Sequence, residues 1–296
     1  MTTISSDDAL GWVNKLLRYC RAGYRGCIFG RDSELYIERG WSALETALYV
    51  ILTVFVPVLV AVVGLVLVQR LVPPERREEH NDVAGFIYAV LGVAYAVLLA
   101  FMLIAVWQDY KTAQTNVESE ANELAGVYFL ASRLPEPERT HVQDLARTYA
   151  RVVVEEEWPM MEQGQTSPRA DSLIRQLRSK LLEFDPRTRG EQVLYERGLT
   201  QLHDAVDARR SRLLQVREGI PNLLWVVLVV DGVITVSFTY LFGLKSNVAH
   251  ALIVAALTLV ICGILFTIAE FNNPFSGPVE IRPDAFREVL HSFGGT

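Results

Sequence analysis

Residues 84–139 read AGFIYAVLGVAYAVLLAFMLIAVWQDYKTAQTNVESEANELAGVYFLASRLPEPER. The first part, Ala84–Trp107, is uncharged and exceeds the roughly 20 apolar residues that cross a bilayer as a helix. Polar side chains begin at Gln108, yet neither proline nor glycine falls between Trp107 and Glu123. The spacing therefore predicts one helix that leaves the membrane and continues to about Arg133, roughly 40 Å at ~1.5 Å per residue. LPEPER (134–139) ends it, because proline cannot continue a helix interior. A span welded to a long polar helix decides the fold class: an all-α membrane protein with a helical domain outside the bilayer.

Three further segments pass the same length test: Ala47–Gln69, Leu223–Phe242 and Val248–Ala269. With four spans, the N-terminus, the long insert and the C-terminus share one side. Cations near the spans concentrate there, among them Lys15, Arg18, Arg21, Lys111, Arg209, Arg210, Arg212, Arg217, Arg282 and Arg287. The opposite side has only Arg70, Arg76, Arg77 and Lys245. The positive-inside bias makes the shared side cytoplasmic. The expected organisation is an N-terminal amphipathic segment (1–46), two spans (47–107), a helical cytoplasmic domain (108–222), two spans (223–269) and a cytoplasmic tail (270–296).

Within the insert, a second helix is expected from Glu138 to Trp158, stopped by Pro159. A third covers Ala170–Phe184, and a last runs from Thr188 to Glu218 into the third span through Gly219 and Pro221. Nothing alternates like a strand. Near the N-terminus, Leu10, Val13, Leu17 and Cys20 recur at helical spacing among basic residues. That pattern suits a helix on the inner leaflet or one packed on the protein's own cytoplasmic domain.

Composition narrows the function classes. The chain has 296 residues, 51% of them hydrophobic, with a net charge of −6 and a mean hydropathy of +0.23. The acidic balance argues against nucleic acid as a partner. Cys20, Cys27 and Cys262 fit no zinc spacing and read as free thiols in a reducing compartment. No signal peptide is read in the first forty residues. The five histidines are dispersed, and no nucleotide-binding, nucleophile-elbow or metalloprotease motif occurs. No catalytic residue, metal or cofactor is expected.

Candidate functional positions lie on the second span and its extension. Gly85, Ala89, Gly92, Ala96 and Ala100 form a small-residue stripe bordered by Tyr88 and Tyr95, a surface for close helix packing. The stripe serves packing within the subunit, contact with another subunit or the wall of a pore. Beyond the membrane, Glu120 and Glu123 are placed to attract cations at a vestibule, or else form a solvated face. In the third span, Asp231 interrupts an apolar run at a cost of about 2.5–3.5 kcal/mol on insertion scales. Tyr95, Thr258 and the Thr53 carbonyl freed by Pro57 lie at its depth. Asp231 is then either a neutral acid bonded to one of them or an ion site on a water-filled path.

Several short stretches together resemble one family: GFIYAVLGVAYAVLL from Gly85, EAN at Glu120–Asn122, LPEPER, EEWPMM containing Trp158 and Pro159, PNLLW from Pro221 to Trp225, and NPFSG containing Pro274, Phe275 and Gly277. They resemble the bacterial bestrophin-like membrane proteins, a family carried as a domain of unknown function, over residues 83–290. An aspartate is expected before PFSG, and Asn272 stands there instead. The resemblance implies an architecture like that of bestrophins, pentameric anion channels with four spans and a helical cytoplasmic part. The calcium-binding acidic clasp of bestrophins has no match in this sequence. The expected function is a homo-oligomeric channel for inorganic ions, with Gly85, Tyr88, Gly92, Tyr95, Leu99 and Asp231 at the pore or gate. The alternative is a non-conducting scaffold or stress sensor acting through the cytoplasmic helices. The bestrophin analogy favours anions and the acidic stalk favours cations.

Overall fold

The computed structural model describes residues 43–72, 81–216, 219–244 and 246–294. The amphipathic stretch around residues 6–20, Cys20 and Cys27, and the flanking cations Arg76, Arg77, Arg217 and Lys245 lie outside the described residues. Trp41–Thr296 forms one compact unit. Its described elements are all helical: α1 (Ala43–Val50), α2 (Val56–Leu71), α3 (Asn81–Ala131), α4 (Glu138–Val152), α5 (Trp158–Met161), α6 (Pro168–Leu182), α7 (Arg189–Gln215), α8 (Asn222–Phe238), α9 (Asn247–Phe271) and α10 (Asp284–Ser292). Four stretches are long and apolar enough to cross a membrane: Ala47–Leu71, Asn81–Ala131, Asn222–Leu241 and Asn247–Phe271.

The joined helix foreseen from the opening stretch is present. α3 runs unbroken for 51 residues from Asn81 to Ala131. The other helices follow their local signals. Thr188 caps α7 with a full capping box, its hydroxyl accepting from the Glu191 N–H while the Glu191 carboxylate accepts from the Thr188 N–H. Ser167 caps α6 through the Ala170 N–H.

Two prolines each follow a π-helical turn, and at Pro159 this differs from the expected stop. A π-helical turn, Ile51–Phe55, joins α1 to α2 just before Pro57. Another, Val153–Glu157, joins α4 to α5 just before Pro159. Proline lacks the N–H for its i−4 carbonyl and its ring crowds that carbonyl. The turn widens instead of stopping: the Val56 N–H reaches Ile51 O and the Trp158 N–H reaches Val153 O. The helix expected to end at Trp158 therefore continues to Met161.

Two cores stabilise the unit. In the spans, Ala61, Leu65, Tyr95, Leu99, Val106, Leu228, Val254 and Ile261 pack together. At one end of this bundle the Asn81 amide makes a reciprocal pair with Gly243, donating to its carbonyl at 2.9 Å and accepting its N–H at 3.0 Å. Tyr240 there donates to the Ala61 carbonyl at 2.8 Å. The second core joins the polar half of α3 to α4, α6, α7 and α10, with Leu124, Tyr149, Leu177, Leu202 and Phe286 almost fully buried. The segment 270–296, read as a tail, thus supplies part of this core. Phe286, Val289 and Phe293 recur at helical spacing and all turn inward.

Candidate functional site

The two faces of α3 have different environments. Tyr88, Tyr95, Leu99 and Val106 turn toward α8 and α9 or the core beneath them. Tyr95 and Leu99 are 5% and 4% exposed. Tyr95 donates to the Leu228 carbonyl at 3.0 Å, and Tyr88 stacks on Phe238 and meets Phe242 edge-on. Gly85 and Gly92 are half-buried, while Ala89, Ala96 and Ala100 are exposed. The small stripe therefore lies at the border of the covered face. The uncovered face passes through Val93, Val97, Ala100 and Ile104, then Gln108, Lys111, Thr115 and Asn122. Tyr95 and Leu99, expected at a pore wall, point instead into the subunit's own core, because the aromatic and branched side chains form its contact with α8 and α9.

Asp231 is half-buried in α8. The hydroxyls at its depth do not serve it. Tyr95 is committed to Leu228, and Thr258 donates to the Val254 carbonyl at 2.7 Å. Thr235 donates to Asp231's own backbone carbonyl at 2.7 Å. Its carboxyl makes no hydrogen bond among the described residues. Level placement brought these residues to one depth; each threonine hydroxyl then took the carbonyl one turn back, a partner always within reach. Gly232 matters more to Tyr95: a Cβ there would lie 2.7 Å from the tyrosine oxygen.

Outside the spans, the α3 carboxylates part company. Glu120 is fully buried and closed by Arg212, whose Nε donates to Oε2 at 2.7 Å and Nη2 to Oε1 at 3.0 Å. Tyr149 adds a bond to Oε1 at 2.5 Å. This corrects the expectation for Glu120, since a carboxylate sealed inside the subunit by a guanidinium presents no charge to a passing ion. Glu123 is half-buried. The Arg212 guanidinium also donates from Nη2 to Glu157 Oε2 at 2.8 Å. Arg209 donates to Glu157 Oε1 at 2.6 Å and to Asp171 Oδ1 at 2.5 Å. The π turn before Pro159 ends on Glu157 and turns it inward, whereas Glu155 stays exposed.

The result is one ion chain, Glu120–Arg212–Glu157–Arg209–Asp171, tying α3, the α4–α5 junction, α6 and α7. Burial pushes the Glu157 carboxyl up, and the two guanidiniums more than reverse this, holding it below the ordinary carboxylate range. Burial and the Glu120 charge push the Tyr149 phenol well up, so it stays protonated and keeps donating. Local sequence does not disclose this chain, because its partners lie up to 92 residues apart and Arg209 and Arg212 read there only as cations flanking a span.

The remaining motif residues build the joints around it. Trp158 is buried, donates to the Ile281 carbonyl at 3.2 Å and meets Phe275 edge-on at 5.9 Å. Arg212 lies over the Trp158 ring at 5.3 Å. Pro274 O accepts the Ile281 N–H at 2.7 Å. Gly277 has φ +102°, and a Cβ there would press on Glu270 Oε2 at 3.1 Å, which accounts for glycine at this turn. Glu270 in turn is hydrogen-bonded to Tyr49. Pro221 begins α8, and the Trp225 N–H closes its first turn onto the Pro221 carbonyl. Asn272 Oδ1 accepts the Ile220 N–H at 2.7 Å. Asn122 is exposed.

These joints fall where the chain matches a known family. The Bestrophin-like domain matches residues 55–286. The chain belongs to the Bestrophin-like family. Its fold is that of the bacterial Bestrophin homolog from Klebsiella pneumoniae, with a TM-score of 0.61 at 13% identity, covering 83% of this chain and 99% of that one. A substituted form of the same homolog gives 0.60 at 13% identity over the same shares. No curated protein matches the chain by sequence.

Proposed function

We propose that this Bestrophin-like protein assembles with copies of itself around an axis in the bacterial inner membrane and conducts inorganic ions along the uncovered face of α3. The insert and both termini face the cytoplasm in this reading, and the protein has no catalytic role. The observation that carries it is the continuity of that face. Among the described residues nothing covers it through the apolar stretch (Val93, Ala100, Ile104) or beyond it (Gln108, Thr115, Asn122). A path that crosses the membrane and continues outside it needs a face that stays open in one register along its whole length.

The pore residues in this reading differ from those first expected. Tyr95 and Leu99 brace the wall from behind, and Ala100, Gln108 and Thr115 face the ions. The test is purified protein in planar bilayers with Cys20, Cys27 and Cys262 replaced. Ala100→Cys and Thr115→Cys are expected to conduct and then to be blocked by charged thiol reagents. A wild type that never conducts across voltage, pH and calcium overturns the proposal and favours the scaffold alternative.

A further inference from the structure

Lys111 is the first charged side chain on the uncovered face of α3 past its apolar stretch. We propose that Lys111 determines the charge preference of the path and selects small inorganic anions, an inference resting on the reading of that face as the path's wall. Asp109 is also exposed, but two residues along a helix turn it about 200° away, to another side of α3. From Val93 to Gln108 this face carries no charge; the exposed carboxylate in register with it, Asp82, lies at the other end of the apolar stretch.

No carboxylate pairs with the Lys111 ammonium among the described residues. It donates to Gln114 Oε1 at 3.0 Å and lies 5.2 Å from the centre of the Trp107 ring, both neutral partners. Gln114 in turn donates to Glu118 Oε1 at 3.1 Å. An amide therefore separates cation from carboxylate and prevents direct neutralisation. Glu118 sits seven residues further along, about 10 Å at ~1.5 Å per residue. That distance is comparable to the screening length of ~8 Å at physiological ionic strength. Glu118 also lines a cavity of about 260 Å³ with Glu280, Arg282 and Asp284.

Of the two stalk carboxylates that favoured cations in the sequence, Glu120 is removed from the face and Glu123 is half-buried, while Glu118 stays exposed on it. Glu120 is consumed by Arg212, and Glu157 by Arg209 and Arg212. A symmetric assembly would multiply Lys111 into a ring at the mouth, the arrangement by which basic side chains favour anions.

The test uses full-length protein in bilayers under asymmetric KCl, reading the reversal potential. Wild type is expected to favour chloride. Lys111→Gln loses that preference and leaves the Glu118 field to favour potassium; Lys111→Glu reverses it fully. Glu118→Gln strengthens the chloride preference. Block of Thr115→Cys combined with a reversal potential unchanged in Lys111→Glu overturns the role of Lys111 alone. Current that thiol reagents at Thr115→Cys do not affect overturns the α3 path, and absence of current in every form overturns both.

Discussion

Arg212 grips both oxygens of Glu120, with contacts of 2.7 and 3.0 Å, although the two residues lie 92 positions apart. The pair joins the helix that continues the second span to the helix that leads into the third. It leaves no solvent for either group, so each charge depends on the other.

Arg212→Met is therefore expected to lower stability by about 3–5 kcal/mol, because Glu120 and Glu157 then remain as buried carboxylates with one guanidinium fewer. Combining it with Glu120→Gln should recover part of the loss, since Tyr149 still has an oxygen to donate to. Thermal melts of the detergent-solubilised protein read both. A double variant no more stable than Arg212→Met would mean that the charge balance is not what holds these helices together.

The same chain predicts a one-sided pH dependence. The folded Glu157 carboxyl is held below its unfolded value near 4.5. Its stabilisation is complete above that value and lost as pH falls through the folded one. Melting temperature should drop on the acid side of about pH 4.5, and Glu157→Gln should flatten that drop while lowering stability at neutral pH. An equally steep acid limb in Glu157→Gln would assign the loss to other carboxylates.

What the sequence disclosed was whatever depends on local spacing. The apolar lengths located four spans, and the lack of a breaker after Trp107 showed that α3 continues. Thr188 and Glu191 marked the start of α7. The inward pattern of Phe286, Val289 and Phe293 was equally readable and was passed over as a tail. Rotation and distant pairing were not legible. Depth alone put Tyr95 and Thr258 beside Asp231, but depth does not say which way a hydroxyl turns. Glu120 looked like its neighbour Glu123 on one strand of sequence, and only packing of α7 against α3 brought Arg212 to it. Pro159 read as a stop because a π turn has no local signature beyond the proline itself.

Gly232 and Tyr95 should behave as one unit inside the spans. A methyl at position 232 would lie 2.7 Å from the Tyr95 oxygen, so Gly232→Ala must displace the ring or the helix. Tyr95→Phe removes that oxygen and one bond to Leu228, worth about 0.6 kcal/mol by the average for interhelical bonds in membranes. The double variant should be more stable than the sum of the singles, with a coupling of about 0.5–3 kcal/mol. Additive losses would show that the two residues do not share the contact.

Asn272 offers the sharpest test of how the spans join the insert. Its Oδ1 takes the Ile220 N–H at 2.7 Å, and Gly219 leaves so little room that a Cβ would sit 3.2 Å from the Asn272 amide. One side chain at the end of α9 thus holds the backbone just before α8 begins. The contact needs an acceptor oxygen and nothing more, so an aspartate fits as well as the asparagine present. Asn272→Ala should speed hydrogen exchange at Ile220 and lower stability by about 0.5–1.5 kcal/mol, the net worth of one hydrogen bond at a half-buried site. Asn272→Asp should keep the exchange slow, because an ionised carboxylate is the stronger acceptor. Fast exchange in both variants would show that the amide group of Asn272, rather than its acceptor oxygen, secures this joint.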